Sequence, residues 1–162
     1  MKKIIHMIDL LNKAIMLLLA IMIGLMCVFI LMQISSRYFL HISLSWTEEV
    51  SRYLMIYAAF FGAAIALRNK SLIAVEFIAE KMTADKRKFL KALILFISII
   101  FFGVVLFQGL QLVDKVSSQQ SVALQISMAV PYASIPIGCF LLIVNAIATI
   151  LDLFVPKEGE VN

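Results

Sequence analysis

The sequence predicts an all-α integral membrane protein with four transmembrane helices and a short interfacial helix between the second and third. Three observations carry that expectation. The chain has 162 residues of which 63% are apolar, with a mean hydropathy of +1.03, far beyond the roughly 45–50% of an ordinary soluble domain. The apolar residues gather into four long runs, at about residues 14–34, 49–67, 90–113 and 131–154. The charges lie between these runs or in their end turns, as Glu49, Arg52, Lys91 and Asp152 do.

The first run follows Lys2, Lys3 and Lys13 and stays uncharged from Ala14 to Ser36. A basic start before an apolar stretch also describes a signal peptide, but this stretch exceeds the usual h-region and lacks an Ala-x-Ala-like cleavage site. It reads as a retained first span, closed by Arg37 and Tyr38, with residues 39–44 as a short turn into the second helix.

That second helix is the most informative stretch. Ser45 is placed to cap its first turn, and Glu48, three residues on, to complete a capping box. Glu48 and Glu49 suit the positive end of the helix dipole. Arg52 does not, and both carboxylates lie within one turn before it. Only 15 uncharged residues, 53–67, separate Arg52 from Arg68. They rise about 22 Å, less than the ~30 Å of a bilayer core, so Arg52 and Glu49 are drawn to the lipid edge. Read on chemistry alone, this is either a capped helix end with a snorkelling arginine or a docking or structural site shared with another membrane protein. Behind the charges Ala58, Gly62 and Ala66 recur every four residues, with Ala59 and Ala63 beside them. Small residues at this spacing let helices approach closely in lipid.

Residues 71–82 alternate apolar and charged positions in approximate helical order, with Val75, Ile78 and Met82 on one side and Glu76 and Glu80 on the other. The segment is too short and too charged to span, and reads as an interfacial helix resting on lipid or on a partner. Thr83 is placed to cap a long third helix that starts in the cluster Lys86, Arg87, Lys88 and Lys91. Such a cluster meets anionic lipid headgroups. A polar loop, 114–125, follows. Pro131 stands where a fourth helix can start, and Pro136 where it can bend. A polar tail begins at Pro156.

Of 14 Lys and Arg residues, 11 fall on the side of the N-terminus, the central loop and the tail; Arg37, Arg52 and Lys115 are the exceptions. The positive-inside rule then puts both termini in the cytoplasm. Trp46 and all four tyrosines, Tyr38, Tyr53, Tyr57 and Tyr132, lie toward the outer face as an aromatic belt. The net charge of +4 is distributed as membrane loops distribute it, which argues against nucleic acid as a partner. Cys27 and Cys139 sit in apolar runs without CxxC spacing. His6 and His41 are isolated near the membrane edges. Gln33, Gln108, Gln111 and Asn145 are placed for interhelical hydrogen bonds. The residues supply no phosphate-binding loop, metal-ligand cluster or nucleophile set, so neither an enzymatic activity nor a cofactor is expected. Paired mid-depth charges or broken helices in related halves, as a self-sufficient transporter would carry, are not visible either.

Length, four spans, Arg37-Tyr38, the Trp46-x-x-Glu49-x-x-Arg52-Tyr53 opening of the second span, Gly62 within it, the basic central loop, the Ser/Gln-rich outer loop and Pro136-x-Gly138 together resemble the DctQ-type small membrane subunit of tripartite ATP-independent periplasmic (TRAP) transporters. The resemblance covers nearly the whole chain. It implies a bacterial inner-membrane complex with a large membrane subunit and a periplasmic substrate-binding protein, importing organic acids on a sodium gradient. In that scheme the large subunit moves as an elevator while the small one is a scaffold. Arg37, Trp46, Glu49, Arg52, Tyr53, Ala58, Gly62 and Ala66 are then the expected interface or structural residues. The competing expectation is a four-helix homodimer that transports alone, with Glu49 as its proton-coupling carboxylate.

Overall fold

The computed structural model of the chain describes residues 2–69 and 84–154. Helix α1 runs over Lys2–Ser35, α2 over Ser45–Arg68, α3 over Ala84–Val116, the one-turn α4 over Ala129–Tyr132 and α5 over Ser134–Phe154. Four helical segments, Ile5–Phe39, Ser45–Arg68, Lys88–Val116 and Ala129–Leu153, are long and apolar enough to cross a membrane. The expected interfacial helix at 71–82 and the cap at Thr83 lie outside the described residues. The first three helices start a turn or more before the apolar runs that predicted them, because backbone hydrogen bonding continues past the point where side chains become polar.

Each helix end has a local cause. Arg37 and Tyr38 do not close α1 directly; they sit in a single π turn, Ser36–Leu40. His41 then takes a left-handed conformation with φ 54°, and the Ser36 hydroxyl donates to the Ile42 carbonyl at 2.9 Å. The capping box expected at the start of α2 is absent. Leu44 occupies the N-cap without a side-chain cap, and the fully buried Thr47 donates to the Leu44 carbonyl at 2.7 Å. Glu48 turns instead to Arg52, since a charged partner one turn on is a stronger acceptor's mate than a backbone amide. The fourth span breaks at Ala133. Pro136 has no N–H for the Tyr132 carbonyl, and its ring crowds that oxygen. The Ser134 hydroxyl donates back to Pro131 at 2.6 Å, and regular bonding resumes from the Ile137 amide to Ala133.

In space the order is α1, α2, α5, α3. α2 packs on α1 and α5, and α5 packs on α2 and α3, while no Cα of α3 comes within 8 Å of one in α1. The result is an open array with α5 at its centre: 56% of its most apolar window is buried, against 11% in α1 and 6% in α3. One apolar cluster joins Ala64 and Leu67 of α2, Leu95 of α3, and Leu142 and Ala146 of α5. Another joins Ile15 and Met22 of α1 to Phe61 of α2.

Small residues set the distances in this array. Ala64 and Ala146 are completely buried, whereas Ala58, Gly62 and Ala66 are only half-buried and Ala59 and Ala63 are exposed. The closest approach falls at Gly138, where an added Cβ would lie 2.5 Å from the Phe60 Cβ. A Gly138→Ala substitution therefore has to push α2 and α5 apart, with a cost of roughly 1–3 kcal/mol for overpacking. Nothing lies within 4 Å of a Cβ built on Gly103. Thermal unfolding in mild detergent is expected to show a lowered midpoint for Gly138→Ala and no lowering for Gly103→Ala.

Candidate functional site

The charged and polar side chains concentrate at the two ends of the array and do different work at each. At one end Arg68 closes α2 with a side chain only 9% exposed. Its Nε donates to Asp9 of α1 at 2.8 Å and its Nη1 to Asp152 of α5 at 2.5 Å. One guanidinium thus ties three helices together, at a helix C-terminus where a cation is favourable. Next to it Asn12 and Asn145 exchange amide hydrogen bonds of 2.7 and 2.9 Å. Their remaining N–H groups go to the carbonyls of Ile8 and Ala64, both at 2.9 Å. All four amide hydrogens are used, so this buried pair is fully satisfied.

At the other end, Glu48 and Arg52 form an exposed ion pair at 2.9 Å, and Gln33 of α1 reaches Glu48 at 3.4 Å. Glu49 does not join them. It accepts hydrogen bonds from the Tyr53 hydroxyl and from the backbone amides of Ala123 and Leu124, at 2.8 and 3.2 Å. Those amides belong to the loop between α3 and α4, so Glu49 latches that loop onto α2. Tyr57 adds a second tie, donating to the Val130 carbonyl at 2.7 Å. The loop itself is ordered by Ser127 donating to Ser117 at 2.7 Å and by backbone bonds between Ser121 and Ile126 and between Met128 and Gln119. Trp46 packs edge-on against Phe29 of α1 at 5.9 Å. Between α2 and α4–α5 this end opens into a groove of about 530 Å³, walled by Ile56, Phe60, Met128 and Ile135 with Glu48 and Arg52 at its mouth.

The structure therefore gathers Trp46, Glu49, Arg52 and Tyr53 at one end of α2. Arg37 stands apart beside α1, lining a separate hollow of about 660 Å³ with Gln33, Tyr38 and His41. Lys86 and Lys88 are exposed and Lys91 half-buried on the first turns of α3. Arg87 falls within α3, at the same end as the lysines. Sequence reasoning missed Asp9, Asn12 and Asp152 and read Arg68 only as a helix terminus. The available signal was that Asp9 and Asp152 are the acids nearest the ends of the first and last spans, on the side to which α2 returns with an arginine.

Residues 26–155 match the family described as tripartite ATP-independent periplasmic transporters, DctQ component. The chain belongs to this DctQ family. Among curated members it is 25% identical over 121 residues to the sialic acid TRAP transporter small permease protein SiaQ of Vibrio cholerae, covering 75% of this chain and 70% of that one. A putative TRAP transporter small permease protein of Haemophilus influenzae is 32% identical over 80 residues, about half of each chain. The C4-dicarboxylate TRAP transporter small permease protein DctQ of Rhodobacter capsulatus is 29% identical over 103 residues, 62% of this chain and 45% of that one. Membership makes this a multi-pass inner-membrane transporter subunit and not an enzyme. The matched region contains Arg68, Asn145 and Asp152 but begins after Asp9 and Asn12.

The two ion-pair systems differ in burial, and their loss should differ accordingly. Arg68→Met removes the buried tie between three helices and leaves Asp9 and Asp152, 44% and 25% exposed, without a partner; it is expected to cost about 1.5–3 kcal/mol, whereas Arg52→Met removes an exposed pair that contributes about 0–1 kcal/mol. Unfolding of both variants in the same detergent checks the ranking. Glu49→Ala releases the loop between α3 and α4 without touching the other end: hydrogen exchange at Ala123 and Leu124 should rise by roughly 10- to 100-fold, since a hydrogen bond to a charged group contributes roughly 1.5–3 kcal/mol.

Proposed function

We propose that this chain is the static scaffold of a binding-protein-dependent secondary transporter, docking to and stabilising a large elevator subunit that carries substrate and sodium. The observation that supports this most directly is how the polar groups are used. Arg68, Asp9, Asp152, Asn12 and Asn145 bind helices to one another, and Glu49 binds a loop. They hold a fixed array and line no route through it. The array is also open-sided, with α1 and α3 at its edges and broad apolar surface on both, which suits a subunit that is itself packed against something larger.

On α2 the surface left for that partner is the exposed stripe Met55, Ala59 and Ala63. Its small side chains permit a close helix contact in lipid, and the neighbouring half-buried Ala58, Gly62 and Ala66 extend it. Glu49 and Arg52 hold the outer end of this helix in register, and Tyr53 and Trp46 fix it to the loop and to α1. Arg37 marks the outer rim of the scaffold, where a periplasmic binding protein approaches. The distribution of Lys and Arg supports both termini in the cytoplasm, with Lys86, Arg87, Lys88 and Lys91 against anionic headgroups. Relatives named for sialic acid and for C4-dicarboxylates support an organic acid as the imported substrate.

A self-sufficient homodimer using Glu49 for proton coupling is less well supported, because that carboxylate is already engaged by Tyr53 and two loop amides. The decisive experiment is affinity purification of the tagged chain from its native membrane in mild detergent, with mass spectrometry of the eluate. A much larger polytopic protein in equal amount is expected, and its recovery should fall in the Ala59→Trp, Ala63→Trp double variant. Recovery of the chain alone, as a monomer or dimer, would overturn the scaffold reading.

A further inference from the structure

The groove between α2 and α4–α5 has a chemical character that the scaffold role does not use. It starts near Ser45 and reaches Phe60, a climb of about 22 Å along the helix, so it runs from the membrane surface well into one leaflet. Its volume of about 530 Å³ falls in the range that encloses a small-molecule-sized group, roughly 300–1,000 Å³. The deep part is apolar, formed by Ile56, Phe60 and Ile135. The mouth carries both signs of charge: Arg52 and Glu48 stand side by side, with 61% and 57% of their side chains exposed.

Neither charge is exhausted by the other. The described contacts of Arg52 use a single N–H, to Glu48, out of the five a guanidinium carries, and its planar fork matches a phosphate. Glu48 accepts from Arg52 and, at 3.4 Å, from Gln33, leaving lone pairs on an exposed carboxylate. Glu49, by contrast, is saturated by the loop. The tyrosines Tyr53 and Tyr132 line the same groove, at the level where aromatic side chains meet headgroups. We propose that this groove holds one phospholipid of the phosphatidylethanolamine type, its phosphate on Arg52, its primary ammonium on Glu48 and one acyl chain along Ile56, Phe60 and Ile135.

Charge complementarity selects this occupant. A zwitterionic headgroup with donor hydrogens satisfies both members of the pair while leaving them at the water interface. A phosphatidylglycerol offers Glu48 no cation, and a phosphatidylcholine offers it no N–H. A transmembrane helix of a partner would instead have to cover an exposed ion pair with matching charges of its own. The inference rests on the multi-pass membrane location and on this groove facing lipid, the large subunit being assigned above to the stripe Met55, Ala59 and Ala63.

The test is native mass spectrometry of the tagged chain, with whatever copurifies, after exchange into detergent containing equal amounts of dioleoyl phosphatidylethanolamine, phosphatidylglycerol and phosphatidylcholine. The first bound lipid is expected to be phosphatidylethanolamine, and Arg52→Gln or Glu48→Gln should each lower that adduct by about tenfold or more, the loss of one charge-assisted hydrogen bond. A second measurement leaves both charges in place: a benzophenone side chain at position 56, irradiated in the native membrane, should label lipid. Equal adducts of all three lipids, adducts unchanged by both substitutions in protein of native helicity, or a position-56 crosslink to protein would each overturn the proposal.

Discussion

In lipid, packing one apolar helix against another gains nothing from the hydrophobic effect, so a helix array depends on close contacts and on polar groups that have no better partner. Here that dependence falls on Arg68. It reaches Asp9 and Asp152 from a side chain that is almost fully buried, and through them it fixes α1 and α5 against α2. The amide pair Asn12–Asn145 repeats the connection one layer further in and adds the Ala64 carbonyl. With those distances set, Ala64 and Ala146 can meet at the centre of the apolar cluster, and Gly138 can accept the ring of Phe60. Among the described residues α3 shares in the apolar cluster through Leu95 but in none of these side-chain bridges.

The opposite end of the array is built on a different economy of charge. An arginine and two glutamates within five residues of α2 divide into an exposed pair and a latch. Glu48 takes Arg52 because four residues is the spacing at which helical side chains meet. Glu49 points to another side of the helix and meets the loop that precedes the last span. The latch is short-ranged in space and long-ranged in sequence, with Glu49 and Ala123 74 positions apart. It makes a polar loop part of the helix array's surface at that end.

These distinctions explain what could be read from the chain and what could not. Four spans followed from four apolar runs, and the Glu48–Arg52 pair followed from local spacing. The start of α2 did not, because Ser45 and Glu48 satisfied the pattern of a capping box while Arg52 offered Glu48 a charged partner. Six small residues within nine, Ala58 to Ala66, predicted a packed helix but left its phase open; the face that is buried carries Ala64, and Ala59 and Ala63 look outward. Arg68, Asp9 and Asp152 each read alone as an ordinary interfacial charge, since only the fold brings residues 59 and 84 positions apart into contact. The break at Ala133 was anticipated by Pro136, but its position one turn upstream is set by the carbonyl the proline crowds.

An array of this shape has a consequence for how it behaves in a membrane. A closed four-helix bundle buries each helix against two neighbours, whereas here α1 and α3 each contact one side of the array and leave most of their length to lipid or protein. Buried polar bridges connect α1, α2 and α5, so these three form the rigid part, with the exposed Met55, Ala59 and Ala63 on the helix that the bridges hold most firmly. A surface fixed in this way is held in one geometry by the bridges behind it. Had the charges been placed at mid-depth and unpaired, the chain would have carried the marks of a conduit; placed at the ends and paired, they stiffen it.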